Sequence, residues 1–132
     1  ASGASVHTLD TVVNQTGSEF TPAFSQKVIS YSLDELVRSF GLASPTHIKI
    51  DVDGGEREII EGMKQILQGS TIKSVMIEIT EVSKDDDQVK EMINVFKNAG
   101  FKEALRIDHS GFKNYPLVSD VLFTKNWEIT HG

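Results

Sequence analysis

The stretch from His47 to Met63 reads HIKIDVDGGEREIIEGM and sets Lys49, Asp51 and Asp53 at alternate positions ahead of Gly54, Gly55 and Glu56. A further carboxylate, Glu78, interrupts the apolar run SVMIEIT. Acids beside a lysine at the end of a strand suit three kinds of chemistry: orienting or deprotonating a substrate hydroxyl, holding a divalent cation, or acting as a phosphoryl nucleophile. Period-2 alternation puts Lys49 and Asp51 on one face of their strand, with Glu78 at a comparable level on the next, so the three can meet across neighbouring strands. Three buried charges are costly unless they pair, and paired acids with perturbed pKa values mark functional sites more often than chance. The same residues also have a structural reading. Asp53 and Glu56 fit a D-x-x-E capping box, with the glycine pair easing the turn into a helix, and Lys49 can form a plain ion pair with Asp51 or Glu78. His109, in RIDHSGF, is a base if it reaches the same crevice and a solvated loop residue if it does not. His7 and His131 lie where no pattern supports a role.

Elements with definite signatures position these residues. VISYS from Val28 reads as a short β-type run, and SLDELVRSFG as a helix opened by a Ser32–Glu35 capping box. Leu33, Leu36, Val37 and Phe40 line one face of that helix, and Gly41 stops it. THIKIDV is an alternating strand, followed by a helix with Ile59, Ile60, Met63, Ile66 and Leu67 on one side, ending near Gly69. SVMIEIT is nearly continuous in its hydrophobicity, as a buried parallel strand would be. A third helix carries the stripe Val89, Met92, Ile93 and Phe96, with Asp85, Asp86 and Asp87 at its positive end. FKEALRID and SDVLFTK are two last strands with no helix between them, which predicts an antiparallel hairpin at the sheet edge. Helix and strand alternate, so the fold class is α/β with parallel strands joined by crossovers. Residues 1–27, rich in Ser, Thr and Gly, read as an irregular segment with a possible short strand at Ser5–Leu9, and residues 28–132 as the α/β part. Trp127 is expected to pack the terminus onto the body.

The 132 residues suit one domain, and 39% hydrophobic with 24% charged residues is ordinary globular composition. A net charge of -6 argues against nucleic-acid backbone binding. The absence of cysteine excludes disulfides, thiolate zinc sites and cysteine nucleophiles. No run approaches the roughly 20 apolar residues a membrane helix needs, and no signal peptide opens the chain, so a soluble cytoplasmic protein is expected. The chain opens at Ala1 rather than Met, which reads as part of something longer.

Three motifs can be tested on Asp51–Glu56. An EF-hand loop fails, because the third alternating acid and the closing Glu are missing. The D-x-D-G run resembles the nucleophile loop of haloacid-dehalogenase-type phosphatases, but Gly55 stands where those enzymes carry Thr or Val, and SDVLFTK supplies no convincing acidic pair for magnesium. The third match is closer. Ser32-Leu33-Asp34-Glu35-Leu36, then Lys49-Ile50-Asp51-Val52-Asp53-Gly54 with Glu56, then Gly62 and Leu67, then Glu78, resemble the carboxyl-terminal part of the FkbM-family methyltransferases. The resemblance runs from about Val28 to Phe101 and more weakly to Phe123; Asp53 stands where the family usually has Glu.

That resemblance implies a partial Rossmann-like class I methyltransferase sheet, strands four to seven with crossover helices and the last strand antiparallel. It implies S-adenosylmethionine as methyl donor and a hydroxyl of a small molecule, glycan or polyketide as acceptor. Asp51 or Asp53 would orient or deprotonate that hydroxyl or help hold a metal, with Lys49 and Glu78 fixing the carboxylate's position and charge. No strand followed by a glycine-rich turn precedes His47, so the chain reads as a carboxyl-terminal portion unable to hold the donor alone. The open sheet edge this leaves would suit a homodimer or a non-catalytic interaction module.

Overall fold

The structure, a computed structural model, describes residues 21, 26–52, 55–83, 85–109 and 116–125. The expectations at Ser5–Leu9, Asp53 and Trp127 lie outside those residues, as does nearly all of the segment 1–27.

The elements run α1 (Leu33–Phe40), β1 (His47–Ile50), α2 (Glu56–Glu61), α3 (Lys64–Gln68), β2 (Ser74–Glu81), α4 (Asp87–Asn98), β3 (Lys102–Asp108) and β4 (Leu117–Thr124). The four strands form one mixed sheet in the order β1-β2-β4-β3. β1 and β2 are parallel, and β4 is antiparallel to both of its neighbours. The expected hairpin at the edge is present, with β3 outermost and the last strand slotted inside against β2. The β-type run at Val28 is not a strand: residues 26–31 are irregular, and Val28 and Ile29 are exposed.

Ladder partners share a face, so the register sorts the side chains. On one face Ile50, Val75, Ile77, Ile79, Val121 and Phe123 are buried with Ile60 and Met63 of the α2–α3 region, Leu67 of α3, and Val89 and Phe96 of α4. Phe96 stacks on Phe123 with ring centroids 4.5 Å apart and meets Phe101 edge-on at 6.1 Å. Side chains buried this fully contribute ~1.5–3 kcal/mol each. The buried cluster contains no residue of the opposite face, where Lys49, Met76, Glu78, Asp120 and Leu122 point. A bulge between Glu103 and Leu105 shifts the register of β3, so Leu105 and Ile107 pair with Leu122 and Asp120 and stand exposed on that face as well.

The sequence suggested one helix from Glu56 to Gly69, and the chain makes two. The helix is interrupted at Met63, which leaves helical dihedrals at φ -126; at the neighbouring Gly62 an added Cβ would lie 2.9 Å from the Ser32 Cβ, so the start of α1 comes as close as a glycine allows. The Asp34 N–H donates to the Gly62 carbonyl at 3.0 Å, and the Asp34 carboxylate accepts from the Gln65 and Ile66 N–H groups at 2.9 Å each. α3 therefore takes its N-terminal cap from α1, a side chain some thirty residues away in sequence. At its other end the Lys125 ammonium donates to the Leu67 and Gly69 carbonyls at 3.0 and 2.9 Å, where the helix dipole favours a cation. Ser32 caps α1 as expected, accepting from the Glu35 N–H at 3.2 Å. α2 begins at Glu56 with Gly55 as its cap, at φ 91 and with no side-chain cap bond; the expected Asp53–Glu56 box falls on Asp53, outside the described residues.

Two predictions follow from these caps. Asp34→Ala leaves two N–H groups of α3 without an acceptor and should lower stability by about 1–2 kcal/mol, read as a lower urea midpoint at unchanged slope, with Asp34→Asn losing less. Asp86 caps α4 and also accepts from the Val82 N–H at 3.1 Å, a bond that, with those from Gln88 and Val89, holds its carboxyl below the usual 3.8. Because its folded value is depressed, the stabilisation is complete above the unfolded value and is lost as pH falls through the folded one. A thermal-unfolding series through that acid range should show Asp86→Asn flattening the limb.

Candidate functional site

Lys49, Asp51, Glu78, Asp120 and His109 gather at the carboxyl ends of β1, β2 and β3, the end at which open α/β sheets bind ligands. The Lys49 ammonium lies 2.6 Å from Asp51 Oδ2, in an ion pair whose two side chains are more than half exposed. The hydrogen bond and charge of Asp51 raise the Lys49 pKa above its ordinary value, with Asp120 and Glu78 adding smaller contributions of the same sign. Their effect on Lys49 places all three carboxylates within electrostatic reach of one ammonium. Lys49 points to the same side as Met76, its ladder partner, and Asp51 follows one residue beyond the last pair, Ile50 with Ile77. Glu78 is half-buried and directly opposite Asp120 across the β2–β4 ladder. Asp120 Oδ2 in turn lies 2.7 Å from His109 Nε2, with the imidazole 47% and the carboxylate 23% exposed. The His109 N–H donates to the Val118 carbonyl at 2.8 Å, which fixes the residue at the end of the β3–β4 ladder.

Of the residues expected from sequence, the structure thus pairs Lys49 with Asp51 and sets Glu78 close by, one strand over. Asp53 lies outside the described residues. Asp120 was legible only as part of an apolar strand. The signal that could have found it is parity: Ser119, Val121 and Phe123 face inward, so Asp120 must face the side of Glu78. His109 is more than the solvated loop residue it might have been, because the ladder continues to it.

Glu78 also lines a cleft of about 450 Å3 between the first turns of α2 and α4. Gly55, Glu58, Thr80, Asp86 and Gln88 form its walls over a floor that includes Ile79 and Met92. An Arg57–Glu91 contact at 3.4 Å ties the two helices together. Among the described residues no three His, Asp or Glu side chains converge closely enough to hold a metal ion. Among them, too, no helix is long and apolar enough to cross a membrane.

The arrangement provides an oriented carboxylate, a cation that fixes it, and an imidazole hydrogen-bonded to a second carboxylate, with Glu78 alone of the row lining the cleft. Groups of these types can bind a hydroxyl or take up a proton. No curated protein matches the chain, and no solved structure does. The family model of the Methyltransferase FkbM domain matches residues 2–103, taking in the stretch before Val28 as well as the Lys49–Glu56 turn. On that match the chain belongs to the FkbM methyltransferase domain family.

Proposed function

We propose that the chain forms the acceptor side of an S-adenosylmethionine-dependent O-methyl transfer site. The observation that carries this reading is the Lys49–Asp51 pair, 2.6 Å apart at the carboxyl end of β1 in a domain of this family. Asp51 accepts a hydrogen bond from the acceptor hydroxyl and so aims its oxygen, while Lys49 fixes the direction of the carboxylate. Glu78, at the same level one strand over, supplies a second acceptor for a neighbouring hydroxyl of a sugar or polyketide. The antiparallel last strand supports equating β1 to β4 with strands four to seven of a class I methyltransferase sheet.

The described residues do not fit the adenosyl part of the donor. They contain no strand-to-helix turn rich in glycine to cradle it, and Gly55, the one glycine at the mouth of the cleft, caps a helix of only six residues. Its binding groups are assigned to residues other than those described, and the free edge of β1, unpaired among the described residues, is where further strands or a second copy would join.

Calorimetry with S-adenosylhomocysteine tests the donor half. The folded chain alone should give no saturable heat, whereas one-to-one binding would show that the chain carries its own donor cradle. In any preparation that transfers methyl groups from labelled donor to a hydroxyl acceptor, Asp51→Asn should lower kcat/KM at least about tenfold, the worth of one positioned hydrogen bond. A rate within twofold of the unsubstituted protein would remove Asp51 from the site.

A further inference from the structure

We infer that the free edge of β1 binds a second copy of this chain, the two β1 strands pairing antiparallel about a two-fold axis at Ile50. Each Asp51 then gains the ammonium of the other copy's Lys49. The inference concerns only what covers this edge and stands apart from the methyl-transfer reading.

Three observations meet there. The first is the backbone. The Thr46 carbonyl accepts from the Lys73 N–H at 2.7 Å and the Ser74 N–H at 3.3 Å, so it points toward β2. Alternation then turns the N–H and C=O of Ile48 and Ile50 toward β2 and those of His47 and Lys49 outward, where β1 is unpaired among the described residues. The chain is still extended at Asp51, since its contact with Lys49, two residues back, requires both side chains on one face. The outer strand at the other end of the sheet, β3, is blunted by its bulge, whereas β1 pairs in unbroken register and carries no such device.

The second observation is α1. Leu33, Leu36, Val37 and Phe40 form one apolar stripe, yet no residue of the helix is buried. Leu33 reaches the core, and Asp34 ties the helix to Gly62 and α3. Phe40 and Leu42 remain more than half exposed, with Tyr31 edge-on to Phe40 at 4.9 Å. A two-fold axis normal to the sheet keeps both copies' helices on one face, so the second copy brings its own apolar α1 to the side where this stripe is uncovered.

The third is self-complementarity, which selects the register. With the axis at Ile50, Lys49 stands opposite Asp51 of the second copy, and Ile48 opposite its Val52. Ladder partners share a face, so two ammoniums and two carboxylates alternate on the open side while the apolar pairs lie on the helical side. An axis at Lys49 would set that ammonium against itself, and one at Ile48 would set it against His47. Only the register at Ile50 joins opposite charges directly. Each candidate site is thereby bordered by a residue of the other copy.

Sedimentation velocity of the full chain over a concentration series tests this. A dimer in reversible exchange with monomer is expected, weakened by rising salt because the pairs are exposed. Lys49→Asp and Asp51→Lys, each at an exposed position, should raise the dissociation constant at least about tenfold with the circular dichroism unchanged, and the double swap should restore it. Phe40→Glu should weaken the dimer as well, and Leu105→Glu, on the far edge strand, should leave it as it was. A folded chain that stays monomeric at every concentration overturns the inference. So does a dimer that tolerates Lys49→Asp and Asp51→Lys, or one that Leu105→Glu dissociates, since the contact would then lie elsewhere on the sheet.

Discussion

Everything else in the domain hangs on the parity of β2. All eight of its residues pair antiparallel with β4 and the first four also pair parallel with β1, so each side chain is assigned to one face with no freedom to slip. Val75, Ile77 and Ile79 take the side covered by helices, and burial there sets the register. Glu78, between two of them, is forced to the other side at the carboxyl end, opposite Asp120. A one-residue slip would bury Glu78 among the Phe96–Phe123 stack. The hydrophobic core therefore positions the polar row without touching it.

What could be read from the sequence was whatever depends on near neighbours. The stripes at Ile60, Met63 and Leu67 and at Val89 and Phe96 proved to be core, and Ser32 and Asp86 cap their helices. These are local rules of spacing and capping, visible within a few residues. Features set by distant partners were not legible. The break beside Gly62 answers to Ser32 and Asp34, which approach it from another helix. The bulge at Ala104 turns Leu105 and Ile107 to the open face, and nothing in FKEALRID announces an extra residue. Val28 to Tyr31 has strand composition and finds no strand to pair with. Lys49 with Asp51 was readable because they lie two apart on one strand, but the approach of Asp120 to Glu78 and of His109 to Asp120 needs the registers of two ladders at once.

The motif residues that carried the resemblance do not all do chemistry. Asp34 clamps α1 to the start of α3 through three hydrogen bonds, one from its own N–H and two to its carboxylate. Gly62 is small because α1 passes over it. Leu67 fills the core. Among the described residues of the pattern, Lys49, Asp51, Glu56 and Glu78 stand at the carboxyl end of the parallel strands, so much of the rest is a folding signature that holds α2 and α3 against those strands, and hence holds the turn after β1 where it is. A clamp of that kind matters more here than in a long helix, since α2 and α3 have six and five residues and neither is stable by itself.

The polar row is hard to explain as a contribution to stability. Like charges directly opposite in a ladder are unfavourable by about 0.2–1 kcal/mol, and Glu78 faces Asp120 in that relation. Lys49 is drawn to Asp51, and His109 to Asp120, so Glu78 is left without an ion-pair partner among the described residues. Met76 with Leu122, one step away on the same face, shows how the strands pair where nothing polar is required. A sequence selected only to fold would continue that apolar pairing through the next position. Violations of a local rule without a compensating contact concentrate at functional sites. Here the violation occurs at the carboxyl end of the strands, beside a cleft, with an ammonium on one flank and an anchored imidazole on the other. The arrangement gives up a little stability to keep acceptors facing solvent, which is what the proposed hydroxyl-binding site requires.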